Sequence, residues 1–174
     1  MNLPNKMTVG RMIAVPFFIA AYMTGHMTIA FVIFVLASLT DMLDGKIARA
    51  RNLVTNFGKI MDPLADKVLV YSALCLFIES GIIPSWSLII ILAREFVVSG
   101  MRTVAASEGI VIAAGMSGKI KTVLQMIAVI VILLALGGFP QLMNIGMIVF
   151  WASLVMTVYS GAEYIIRNRH VFSM

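Results

Sequence analysis

Four carboxylates stand out by type and spacing. Asp41 and Asp44 are three residues apart, and Asp62 and Asp66 are four apart. Each pair therefore shares one face of a helix. Two antiparallel helices carrying these pairs turn four carboxylates into one space. Unpaired carboxylates set among such apolar segments are very costly, so protons or cations must compensate them. Hard oxygen donors at that density suit Mg²⁺, Mn²⁺ or Ca²⁺. Four carboxylates suffice for two metal ions, an arrangement that can clamp a diphosphate during a displacement.

Small residues interleave with the acids. Gly45 and Ala48 continue the face of Asp41 and Asp44, and Gly58 precedes Asp62 on its own face. Close helix packing is the ordinary meaning of small residues in a membrane. Their position among the acids favours ligand contact for Gly45 and Ala48.

The elements that must place these groups are apolar helices. Apolar residues make up 61% of the 174-residue chain and charged residues 12%, where a soluble domain has roughly 25% charged. One modest domain has too much surface for a core to absorb that imbalance, so its solvent is itself apolar. Six segments reach spanning length, about 20 residues each: 7–23, 27–43, 60–79, 85–106, 117–136 and 141–166. All six are expected to be helical, because open strands cannot cross lipid.

Charge tests that count. Lys6 and Arg11 lie at the first end; Lys46, Arg49, Arg51, Lys59 and Lys67 lie between the second and third spans. Arg94, Arg102, Lys119 and Lys121 belong to the fourth and fifth spans, and Arg167 and Arg169 to the last end. Those are all 13 Lys and Arg, whereas the turns at Gly25, Gly81 and Gly137 have none. Six spans thus put every cation on one side, which the positive-inside rule makes cytoplasmic, with both termini there. Seven acids follow; only Glu79 lies near an outer turn. Chemistry belongs on the cytoplasmic face of one domain covering 1–174.

Several functions drop out. A net charge of +5 without an aromatic-interleaved basic patch does not read as nucleic-acid binding. Attraction to anionic membrane lipids or phosphorylated substrates fits better. Cys75, the one cysteine, forms no internal disulfide or zinc cluster and is expected to be a small buried hydrophobe. The first span lacks a small-residue cleavage site and contains Pro16, so it is read as a mature helix rather than a signal peptide. Arg11 is expected near the headgroups, and His26 and His170 are assigned no ligand role.

The run Asp41-x2-Asp44-Gly45-x2-Ala48-Arg49-x8-Gly58-x3-Asp62-x3-Asp66 resembles the signature of the CDP-alcohol phosphotransferase family at all eight fixed positions. The resemblance implies an all-α six-transmembrane-helix bundle, usually a homodimer, and a CDP-linked donor. It implies that Asp41, Asp44, Asp62 and Asp66 hold two divalent metal ions, Mg²⁺ or Mn²⁺, on the donor pyrophosphate. It makes Asp66 the general base as well, although a role as ligand alone also fits. Gly45, Ala48 and Arg49 would lie beside the nucleotide, with Asp44 and Gly58.

Further stretches resemble one branch of that family, the phosphatidylglycerophosphate synthases. They are Asn2-Leu3-Pro4-Asn5-Lys6-Met7-Thr8, Thr55-Asn56-Phe57-Gly58-Lys59, Asp62-Pro63-Leu64-Ala65-Asp66-Lys67, Arg94-Glu95-Phe96, Gly100-Met101-Arg102, and Gly118-Lys119-Ile120-Lys121-Thr122 with Gln125. The branch implies CDP-diacylglycerol as donor and glycerol 3-phosphate as acceptor. Arg94, Arg102, Lys119 and Lys121 are candidates for the acceptor phosphate; the plain alternative is cationic flanks that snorkel to the interface. Lys119 and Lys121 cannot share one narrow face, so one faces the site and the other the headgroups. Arg94, deep in its span, is the strongest candidate, and a salt bridge to adjacent Glu95 is not assured because neighbours leave a helix in different directions. Asn5 and Thr8 fit donor binding and helix starting equally well.

Two other classes compete. A divalent-cation transporter also uses intramembrane carboxylates, but no repeat appears and no series of acids crosses to the outer half, where Glu79 stands alone. A structural subunit has no use for four clustered aspartates. Within the family, inositol phosphate, serine or phosphatidylglycerol are the alternative acceptors.

Overall fold

The computed structural model describes residues 3–50, 56–107, 109–110, 112–113 and 115–169; the side chains of 3–8, 41–50, 56–63 and 66 lie outside that description. Six α-helices follow in order: α1 (Leu3–Met23), α2 (Met27–Ala50), α3 (Asn56–Glu79), α4 (Ser85–Ser107), α5 (Met116–Leu136) and α6 (Met143–Arg167). A 3₁₀ turn, Pro140–Leu142, leads into α6. No strand occurs among the described residues. Each expected apolar segment falls on one helix. The helices run past the apolar stretches, α2 to Ala50 and α3 from Asn56, because Asp, Lys and Arg end an apolar run without ending helical hydrogen bonding.

Glycines close the turns where the backbone must reverse. Gly25 has φ +79° and Gly81 has φ +70°, a region open to glycine at little cost. At the first, the His26 N–H donates to Ala21 O at 2.9 Å and the Gly25 N–H to Tyr22 O at 3.0 Å. At the second, Ile82 N–H donates to Phe77 O at 2.8 Å and Gly81 N–H to Ile78 O at 2.9 Å. Both are Schellman closures, which satisfy carbonyls left over at a helix end.

The pair α5 and α6 packs most extensively; α1 lies against α2 and α3, and α4 against α6. Phe18, Phe34, Phe77 and Phe150 are fully buried between them. Phe18 and Phe34 rings are 5.7 Å apart, and Tyr22 and Phe77 rings 6.1 Å apart. The Tyr22 and Ser80 hydroxyls are 2.8 Å apart, joining the Gly25 turn to the Gly81 turn. A small cleft lined by Gly25, His26, Thr28, Leu136 and Gly137 brings the third turn to the same end. The other end carries Arg102, Lys119, Glu163 and Arg167.

The outward surface is apolar: Phe96 is 72% exposed and Ile148 69%. Among the described residues, α5 and the stretch Pro140–Arg167 are long and apolar enough to cross a membrane, with mean hydropathies of 2.2 and 1.8. Helices α3 and α4 carry Lys67, Arg94, Glu95 and Arg102 within them, which lowers their average.

Two expectations are corrected. Arg11 is buried, at 3% exposure, because it faces the packed side of α1 rather than outward to headgroups. Cys75 is exposed; an apolar run continuous around a helix does not reveal which face turns inward, and Cys75 falls on the outer face of α3.

Candidate active site

Asp41 and Asp44 belong to the C-terminal half of α2, and Asp62 and Asp66 to the N-terminal half of α3. These two helices touch, so the backbone brings both acid pairs to one end of one helix pair. The side chains of all four, and of Asn5, Thr8, Gly45, Ala48, Arg49 and Gly58, lie outside the described residues. Among the described residues no group of three or more His, Cys, Asp or Glu is gathered for a metal. The donor set of the four aspartates is nonetheless all carboxylate oxygen, which fits Mg²⁺ or Mn²⁺.

Beside this helix pair stands a carboxylate that sequence reasoning undervalued. Glu95 is 8% exposed. Its Oε2 meets Lys67 Nζ at 3.0 Å and its Oε1 meets Arg94 Nη1 at 2.8 Å. Lys121 Nζ also donates to Oε1. One acid from α4 therefore gathers cations from α3, α4 and α5. A buried cation needs such a partner. The Arg94–Glu95 contact goes against the expectation from the helical wheel, because the long arginine side chain curls back to its neighbour.

Lys119 and Lys121 divide as expected: Lys121 is 4% exposed and Lys119 lies on the surface. Lys121 belongs with Lys67, Tyr71 and Gln125 to a cleft of about 180 Å³ beside Glu95. Arg94 and Arg102 instead meet in a second cleft of about 160 Å³, with Ser117, Gly118, Glu163 and Arg167. There Arg102 Nε donates to the Tyr164 hydroxyl at 3.3 Å, its guanidinium 5.5 Å from the ring centre. Ser117 donates to Glu163, which also meets Arg167 at 2.8 Å. So the four candidate cations for a phosphate occupy three places, and only Arg94 and Arg102 share a cleft.

Glu95, Glu163, Tyr164 and Arg167 were not singled out from sequence. The signal was present for the two acids, since a carboxylate inside an apolar segment needs a partner.

A family model described as CDP-alcohol phosphatidyltransferase matches residues 1–159. A Bacillus subtilis protein named CDP-diacylglycerol–glycerol-3-phosphate 3-phosphatidyltransferase is 41% identical over 187 aligned positions, covering 96% of this chain and 95% of that one. Proteins of the same name from Rickettsia felis and Sodalis glossinidius are 36% and 33% identical, covering 94% and 98% of this chain and 93% and 96% of theirs.

Proposed function

The chain belongs to the CDP-alcohol phosphatidyltransferase family, and from that membership we propose that it transfers a phosphatidyl group from CDP-diacylglycerol to glycerol 3-phosphate. The products are phosphatidylglycerophosphate and CMP. The observation that carries this reading is the unbroken aspartate signature from Asp41 to Asp66, on touching helices, within a chain that aligns nearly end to end with relatives of that name.

In this reading Asp41, Asp44, Asp62 and Asp66 hold two divalent cations, Mg²⁺ or Mn²⁺. When bound, these supply positive charge to the donor pyrophosphate and to the leaving phosphate. Asp66 takes the proton from the acceptor hydroxyl, since a neutral alcohol is a poor nucleophile. The freed oxygen bonds to the β-phosphorus, the bond from that phosphorus to the oxygen of CMP breaks, and CMP carries away the electron pair. Gly45, Ala48, Arg49 and Gly58, with Asn5 and Thr8, flank the nucleotide. Arg94 and Arg102 receive the acceptor phosphate in the cleft they share.

All six helices cross the bilayer in this proposal, as one catalytic domain. A helix of 21 residues such as α1, at 1.5 Å per residue, spans roughly the 30 Å hydrocarbon core. The charged end faces the cytoplasm, and the Gly25, Gly81 and Gly137 turns face outward. Family resemblance supports a homodimer.

The test is CMP release by purified protein with CDP-diacylglycerol and Mg²⁺ or Mn²⁺, with and without glycerol 3-phosphate. Release that requires glycerol 3-phosphate is expected. Release only with another alcohol would keep the family and overturn the acceptor; no release with any acceptor, from folded protein, would overturn the transferase reading.

A further inference from the structure

Arg94 occupies a slot shaped by three residues on three helices. A Cβ placed on Gly161 of α6 would lie 3.0 Å from Arg94 Cγ, and one on Gly118 of α5 would lie 3.1 Å from Arg94 Nη2. Contacts that close are tighter than ordinary packing allows, so both glycines leave space the arginine uses. The third wall is Glu95, whose Oε1 accepts from Arg94 Nη1 at 2.8 Å.

The unused part of the guanidinium is one edge. Nε is buried without a hydrogen-bond partner, while Nη1 is engaged by Glu95. Nε and Nη2 together form the side-on fork that grips two oxygens of a phosphate. That edge belongs to the residue lining the cleft with Arg102, Ser117 and Gly118. Gly118 stands beside Nη2, where a methyl group would crowd an oxygen approaching the fork.

We propose that Glu95, Gly118 and Gly161 are positioning residues that hold Arg94 so that its Nε–Nη2 edge forms a bidentate fork for the phosphate of the acceptor. This rests on the proposed transfer to glycerol 3-phosphate. Glu95 fixes the rotation of the guanidinium, Gly161 lets the side chain pass α6, and Gly118 keeps the fork open. Pre-setting the arginine removes much of the ordering cost that a long flexible side chain otherwise adds to binding.

Kinetics with both substrates separate this from a merely structural role. Gly118→Ala is expected to raise KM for glycerol 3-phosphate at least ten-fold, with KM for CDP-diacylglycerol unchanged. Gly100→Ala, on α4 where an added Cβ meets nothing within 4 Å, is the control and should change neither. An unchanged KM for glycerol 3-phosphate in Gly118→Ala, or an equal rise for both substrates, would overturn the fork. A second measurement does not depend on activity. Gly161→Ala should lower the melting temperature of the detergent-solubilised protein, and Arg94→Ala in the same chain should remove that loss. Additive losses would overturn the slot. If the wild-type protein uses a different acceptor, the functional reading fails while this melting cycle still decides the slot.

Discussion

Lys67 Nζ lies 3.0 Å from Glu95 Oε2, which ties the helix carrying Asp62 and Asp66 to the helix carrying Arg94. Lys67 follows Asp66 directly, so the tie acts one residue from the proposed base. The same carboxylate receives Lys121 and Arg94. One buried anion thus joins the helix of Asp62 and Asp66 to the arginine cleft.

Removing that anion strands several cations. Glu95→Ala leaves Lys121, with 5% side-chain exposure, and Arg94, with 12%, without their carboxylate. Breaking a buried pair on one side costs about 3 kcal/mol or more, so a clear drop in melting temperature is expected. Lys67→Met should cost far less, because the Lys67 side chain is 37% exposed and water screens such a pair. Thermal unfolding in detergent measures both. Equal losses from the two substitutions would show that Glu95 is not the centre of the cluster.

The two lysines of α5 should behave oppositely. Lys121 is buried against Glu95 while Lys119 lies on the surface. Lys121→Met should lower stability by about 1 kcal/mol or more, because the buried Glu95 carboxylate loses one of its three cationic partners. Lys119→Met should change stability by less than about 0.5 kcal/mol. A denaturation series on the two variants checks the contrast, and a large effect at Lys119 would contradict the placement of the helix faces.

How far the sequence alone reaches is clear from particular residues. The six helices follow from apolar length and from cation-free turns at Gly25, Gly81 and Gly137, because bilayer thickness and backbone satisfaction leave few choices. The split of Lys119 from Lys121 follows from helical periodicity. Contacts set by tertiary packing do not follow. Nothing in spacing says that Gly118 and Gly161, 43 residues apart in number, border the same arginine. Nor does an all-apolar helix face declare itself, and for that reason Cys75 fell on the side opposite to expectation.

The Gly25 turn offers a test of backbone strain separated from packing. Its φ is +79°, and an added Cβ would meet nothing within 4 Å. Gly25→Ala should therefore cost only the left-handed conformation, about 1 kcal/mol, with no steric term. Activity should be retained, since the turn lies at the end away from the aspartates. A melting curve beside a CMP-release assay measures both, and loss of activity without loss of stability would mean that this end takes part in turnover.

The proposed base can be separated from the metal ligands by what each variant still binds. Asp66→Asn keeps the shape and one acceptor oxygen but cannot take a proton. Turnover should fall by at least 100-fold, within the range that positioned acid–base groups supply, while much of the CDP-diacylglycerol binding remains. Asp41→Asn, which in the proposed site weakens a metal ligand only, should lose activity that added Mn²⁺ restores in part. Equilibrium binding of CDP-diacylglycerol and a Mn²⁺ titration of CMP release, run on both variants, measure the difference. Near-normal turnover in Asp66→Asn would remove Asp66 as the base. Recovery of both variants with Mn²⁺ would leave it a ligand alone, with the acceptor hydroxyl proton going elsewhere.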